Sequence, residues 1–110
     1  MVAAVRAGAD GAVPGVPVTD TVKRVDRTGT VVATVPRDEL VVVQTPQAFR
    51  ADMLRTAHAS EPEGTDDAAV VEAAGGRVVV VAGAADNFKI TDPADLDRAT
   101  EVLARRTAVP

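Results

Sequence analysis

Apolar positions along the chain fall into short Val-rich runs separated by Gly, Pro and Asp, alternating with stretches of helical spacing. Val2 to Ala9 reads as the tail of a helix with no N-cap before it, as expected where a piece of a longer chain begins. Gly8 to Gly15 is rich in Gly and Pro and predicts a loop. Two β-branched runs follow, Val16–Val25 and Thr30–Val35, joined by the turn signal Asp26-Arg27-Thr28-Gly29. In the first run neither alternating face is wholly apolar, so this hairpin suits an arm resting on a partner rather than a core element.

Beyond the turn at Pro36-Arg37-Asp38-Glu39, the continuous run Leu40–Gln44 predicts a strand buried on both faces. Thr45-Pro46 has the form of a helix N-cap followed by Pro at the first helical position. That helix would carry Phe49, Met53, Leu54 and Ala57 on one face and end at Glu61-Pro62-Glu63-Gly64. A short second helix is expected with Thr65 as its cap, Asp66 and Asp67 in its first turn, an apolar face of Val70, Val71 and Ala74, and a stop at Gly75-Gly76. Val78–Ala82 predicts another buried strand and Asn87–Thr91 a short one. In the last helix Asp92 caps, Pro93 opens and Leu96, Ala99, Val102 and Leu103 form the stripe, with a frayed end over Thr107–Pro110. Strands alternating with helices define an α/β class.

Composition changes this picture in one respect. Of the 110 residues, 21 are Ala and 21 Val, against four Leu, two Met, two Phe and one Ile. Burying a large apolar side chain contributes roughly 1.5–3 kcal/mol and Ala much less, so the core is thin and calls for more chain or a second subunit.

Charge and residue usage exclude several classes of function. A net charge of −4 lacks the basic face of a general nucleic-acid binder, and two distant Phe with no Tyr or Trp offer no stacking platform. Without Cys there is no disulfide framework, thiolate metal site or thiol nucleophile. The only Ser and only His, Ser60 and His58, stand two apart near a helix end and do not face each other, which excludes a Ser–His hydrolase and leaves His58 to solvent. No apolar run approaches the ~20 residues of a membrane span and no secretory leader is recognisable, so the cytoplasm is the expected location.

Four features carry possible chemistry, each with a plain alternative. Lys89, between Phe88 and Ile90, is either turned to solvent by strand alternation or is a cation at the C-terminal end of a strand, where open α/β sheets bind ligands. Arg37 is either a solvated turn residue or an anion contact. Thr45 and Thr65 are ordinary caps or mark helix starts that receive a phosphate. Asp66-Asp67 complements a helix dipole or ligates Mg²⁺. On these grounds alone the chain is an α/β piece suited to an anionic ligand.

Taken in order, Pro17-Val18-Thr19-Asp20-Thr21-Val22-Lys23, Val43-Gln44-Thr45-Pro46-Gln47-Ala48-Phe49, Thr65-Asp66-Asp67-Ala68 and Asn87-Phe88-Lys89-Ile90-Thr91-Asp92-Pro93-Ala94-Asp95-Leu96 closely resemble the C-terminal half of the 2-C-methyl-D-erythritol 4-phosphate cytidylyltransferase family of the non-mevalonate isoprenoid pathway. The resemblance implies half of a Rossmann-like nucleotidyltransferase fold with a protruding β-arm: arm about 14–38, closing α/β unit about 39–106. It implies a homodimer in which each arm reaches the other subunit's site. The implied reaction transfers CMP from CTP to methylerythritol phosphate with release of pyrophosphate, using Mg²⁺ held mainly by residues outside this chain.

By the same resemblance, Arg37 and Lys89 match the basic residues that position the methylerythritol phosphate, and Thr21 and Thr45 match polar contacts to that substrate. Thr65 matches a threonine near the same pocket, with Asp66 beside it. The family's N-terminal half, with its glycine-rich CTP loop, has no counterpart in the residues of this chain, so the expectation is that the chain does not turn over unaided. The alternatives are a non-catalytic remnant or dimerisation module, one half of a split enzyme, or an unrelated acidic α/β interaction domain.

Overall fold

The computed structural model describes residues 1–59, 64 and 66–107. A one-and-a-half-turn helix α1 (Val2–Arg6) leads into strand β1 (Gly11–Pro17), the element around which the main sheet is built. A separate hairpin follows, β2 (Val22–Val25) and β3 (Val31–Val35), then a single 3₁₀ turn at Arg37–Glu39. The chain returns along β1 as β4 (Val41–Val43) and β5 (Ala48–Phe49), and continues into α2 (Ala51–His58), α3 (Asp67–Ala73), β6 (Val78–Ala82) and α4 (Pro93–Thr107).

β1 pairs with β4 and β5 in antiparallel sense and with β6 in parallel sense. This corrects the expected Gly8–Gly15 loop: Gly11 to Gly15 are buried strand residues. Their glycines answer to crowding. A Cβ on Gly11 would stand 2.6 Å from Phe49 Cδ1, and one on Gly15 would stand 2.8 Å from Val80 Cγ1. Neither has a positive φ; among the described residues Gly8, Gly29 and Gly75 do, and these lie at turns or helix ends.

β4 and β5 are two parts of one returning segment. The register shifts from Gly15 opposite Val43 to Ala12 opposite Ala48, so the stretch around Thr45–Gln47 bulges out of the ladder. The Gln44 amide donates to Pro14 O at 2.8 Å. A residue's N–H and C=O point to the same side of a strand, so the donor that Pro14 lacks would have faced Gln44 O, which accepts from Gln47 Nε2 at 3.4 Å instead. The Thr45-Pro46 peptide is cis, Phe49 belongs to β5, and α2 starts at Ala51 after Arg50. Thr45 is therefore a bulge residue, not a helix cap.

The second helix cap also differs. Asp66 is the N-cap of α3, its carboxylate accepting from the Ala69 amide at 2.8 Å, while Thr65 lies outside the described residues. The Gly75 stop holds, with φ +88°. So does the Asp92 cap of α4, which accepts from the Asp95 amide at 2.8 Å.

The core is small, as the Ala/Val composition predicts. Ala57, Val70 and Val71 form its centre, with Phe49, Met53, Leu54 and Val78 packed around them. This joins α2 and α3 to one end of the sheet. At the other end Val41, Val42, Val43 and Val80 are exposed, which corrects the expectation that Leu40–Gln44 is buried on both faces: β4 pairs along one edge with β1, and no described helix packs over it. Leu96 and Leu103 on the α4 stripe are exposed as well.

The hairpin stands as its own two-stranded sheet with little packed against it, and Val25, Val31 and Val32 are exposed. Its first strand is shorter than the Val16–Val25 run suggests, because Val16 and Pro17 remain in β1. The chain over Asn87–Thr91 forms no strand: no neighbour offers it a ladder, and its groups bond instead to Thr45 and Asp95. The last described helical residue is Thr107.

Candidate functional site

The bulge between β4 and β5 separates two clefts. The larger, about 490 Å³, is lined by Thr45, Gln47, Phe49, Leu54, His58, Gly64, Asp66, Asp67 and Val70. The second, about 330 Å³, has an apolar floor from Val16, Val42, Val43, Ala85 and Phe88, and a polar rim of Gln44, Thr45, Asn87 and Lys89. Thr45 belongs to both.

In the second cleft, Lys89 lies on the loop between β6 and α4, exposed, beside Phe88 and Asn87. That loop is tied down on two sides. Toward the sheet, Asn87 Nδ2 donates to Thr45 O at 2.7 Å and Gln44 Nε2 donates to Ala84 O at 2.7 Å. Toward α4, the Arg98 guanidinium lies over the Phe88 ring at 3.9 Å from its centroid, and Arg106 pairs with Asp86. The Thr91 amide and hydroxyl both donate to Asp95, whose carboxyl they hold below its ordinary range.

The first cleft is walled by α2 and α3. Asp66 faces Gln47, whose Nε2 lies 3.5 Å from Asp66 Oδ2 and 3.4 Å from Gln44 O. His58 does not stand free in solvent as expected: its Nε2 is 2.9 Å from Asp67 Oδ1, linking the end of α2 to the start of α3. The two residues are nine apart and on different helices, a pairing that intrahelical spacing does not reveal.

Of the residues singled out by sequence, Thr45 and Asp66 meet at the first cleft, and Thr45 and Lys89 at the second. Arg37 and Thr21 line neither. Both are at the base of the hairpin, where Arg37 Nη1 donates to Thr19 O and so closes the two ends of the arm segment on each other. Thr65 lies outside the described residues. The residues that sequence reasoning passed over are Gln44, Gln47 and Asn87, uncharged amides whose only signal is adjacency to Thr45 and Lys89. Among the described residues no group of three or more His, Asp or Glu side chains gathers as a metal site. No helix among them is long and apolar enough to cross a membrane.

The mixed α/β fold is similar to those of solved cytidylyltransferase-type structures. The match to the 4-diphosphocytidyl-2C-methyl-D-erythritol synthase of Anaerococcus prevotii has a TM-score of 0.82 at 33% identity, covering 94% of this chain and 50% of that one. The 2-C-methyl-D-erythritol 4-phosphate cytidylyltransferase of Thermus thermophilus matches with a TM-score of 0.75 at 42% identity, over 96% and 52%. The fold thus defines a nucleotidyltransferase-like protein.

Residues 1–105 match the family model for 2-C-methyl-D-erythritol 4-phosphate cytidylyltransferase, and the chain belongs to that family. The cytidylyltransferase of Nocardia farcinica is 50% identical over 109 residues, 99% of this chain and 47% of its own length. The bifunctional enzyme IspD/IspF of Clavibacter michiganensis is 55% identical over 103 residues, 93% of this chain and 25% of its own length. The chain spans about half the length, or less, of the curated relatives it matches.

Proposed function

We propose that this chain supplies the methylerythritol-phosphate side of a cytidylyltransferase, which moves CMP from CTP to the phosphate of 2-C-methyl-D-erythritol 4-phosphate and releases pyrophosphate. The observation that carries this reading is the second cleft: Lys89, which makes no ion pair among the described residues, and a threonine beside an apolar floor. A small branched polyol phosphate has the complementary parts, an anionic head and a short carbon chain. In the reaction a phosphate oxygen attacks the α-phosphorus of CTP, a P–O bond forms there, and the bond to the β-phosphate breaks. Two anions must approach, and each unit-charge pair at ~4 Å and an effective dielectric near 20 is worth about 4 kcal/mol. A fixed Lys offsets that repulsion and orients the attacking phosphate, as a compact point charge does.

The order of the four motifs supports placing the chain in the C-terminal half of the family. The exposed Val25, Val31 and Val32 support an arm that rests on a second copy, where Arg37 and Thr21 at its base would reach the partner's site. No glycine-rich loop opens a described helix, which supports the reading that the CTP phosphates are gripped by other chain and that these residues alone do not turn over. Mg²⁺ would be held mainly by residues outside this chain and would neutralise charge on the CTP phosphates.

Pyrophosphate release from CTP and methylerythritol phosphate is the test. The expected result is none from the 110 residues alone and restored release when they are fused behind the rest of a family member. Lys89→Ala in that fusion is expected to lower the rate at least about tenfold, the lower end of what a preorganised charge contributes. An unchanged rate refutes the site.

A further inference from the structure

Gln44 makes an unusual use of its side chain. Its Nε2 donates to Ala84 O at 2.7 Å and its Oε1 accepts from the Ala84 amide at 3.1 Å, a two-point grip on the backbone of one residue across 40 positions of sequence. Gly83 makes room for it: a Cβ there would overlap Gln44 Oε1 and stand 3.0 Å from Gly15 O. Asn87 adds a second tie in the opposite direction, donating to Thr45 O, while its own amide closes a turn on Ala84 O at 3.0 Å. Two consecutive residues of the bulge are thereby bonded to two residues of the loop that carries Lys89.

We infer that Gln44 is a positioning residue for Lys89: its side-chain amide, with that of Asn87, fixes the Lys89 loop against the bulge before a ligand arrives. Both polar atoms of the Gln44 side chain are taken up by Ala84. Its effect is transmitted through Ala84 to a loop that has no ladder of its own to hold it. Two hydrogen bonds made by one amide set the loop's distance and its tilt together, which a single bond does not. This inference rests on the functional reading above.

The test is a titration of methylerythritol phosphate into the ¹⁵N-labelled 110-residue chain, with Kd read from amide shifts and folding monitored by the β1 and β6 amides. Gln44→Ala is expected to weaken binding about tenfold, the scale of one or two lost hydrogen bonds. In a Lys89→Ala background the same substitution is expected to cost less than about twofold, because there is no charge left to place. An equal loss in both backgrounds marks a merely structural role and overturns the inference. Asn87→Ala leaves both Gln44 bonds available and is expected to show the same dependence on Lys89; it decides the matter should Gln44→Ala fail to fold. A wild-type chain that does not bind, or a Lys89→Ala chain that binds like wild type, overturns the functional reading and this inference with it. If those hold and the two amide variants bind like wild type, this inference alone falls.

Discussion

Replacing Gly11 by Ala tests the packing of the central strand. The added Cβ would stand 2.6 Å from Phe49 Cδ1 and 2.8 Å from Cε1, with Val78 Cγ2 at 3.4 Å. Carbon atoms prefer 3.5–4.0 Å, so the ring must retreat by about 1 Å. On one side Phe49 is packed against Ala57, Val70 and Val71 with Met53 and Leu54 beside it, so any retreat is toward the larger cleft that it also lines. Overpacking of this kind costs about 1–3 kcal/mol, and the loss of unfolded-chain freedom on Gly→Ala returns about 0.4–1 kcal/mol. The net expectation is a destabilisation of about 1–2 kcal/mol, or several degrees in Tm.

Urea unfolding followed by circular dichroism reads this as a lower midpoint at unchanged slope. Adding Phe49→Leu to Gly11→Ala removes ring atoms from the clash and is expected to cost less than the two single changes summed. At Gly29, where φ is +86° and the space is open, Ala is also destabilising, but through backbone strain that no neighbouring substitution relieves. A Gly11→Ala midpoint equal to or above wild type would refute the account of β1 as a crowded strand.

Asp66→Ala removes the N-cap of α3 and is expected to cost about 1 kcal/mol by the same assay, with Asp66→Asn within a few tenths. Asp26 at the hairpin turn gives a pH prediction. Its carboxylate accepts first from the Thr28 hydroxyl and then from the Thr30 and Thr28 amides, which hold its pKa below the ordinary 3.8. A depressed carboxyl stabilises the fold above its unfolded pKa and stops doing so as pH falls through the folded value. The Thr28 and Thr30 amide shifts are therefore expected to titrate with a midpoint below 3.8, and a midpoint at or above it would contradict the turn geometry.

Local signals were legible where local physics decides. The α4 cap at Asp92, the Gly75 stop and the Met53, Leu54, Ala57 face of α2 depend on neighbours within a turn or two. β1 was not legible, because Gly and Pro mark loops and close approaches alike. What settles Gly11 and Gly15 is the bulk of Phe49 and Val80, which are far away in sequence. Thr45-Pro46 reads as a cap because a cap and a bulge draw on the same residue types, and only the pairing of β5 with β1 tells them apart.

The candidate site followed the same division. Charge made Lys89 and Arg37 visible, and the structure gives Lys89 a cleft but places Arg37 at the hairpin base. Gln44 and Asn87 carry no charge, and their value lies in whom they touch across the fold. The Leu40–Gln44 run announces apolar surface correctly, but composition does not say that β4 would be an edge.

The parallel ladder between β1 and β6 bears on how the chain is made. Asp10, at the head of β1, accepts from the Arg77 amide across 67 residues. During synthesis β1 emerges before β4 and β5, can take them up, and must then wait with its other edge bare until Val78–Ala82 appears. That waiting edge is apolar and unpaired, the kind of surface that recruits a neighbouring chain. Slowing initiation or lowering temperature, which leaves fewer half-made chains side by side, is expected to raise the soluble yield more than any change to the finished surface.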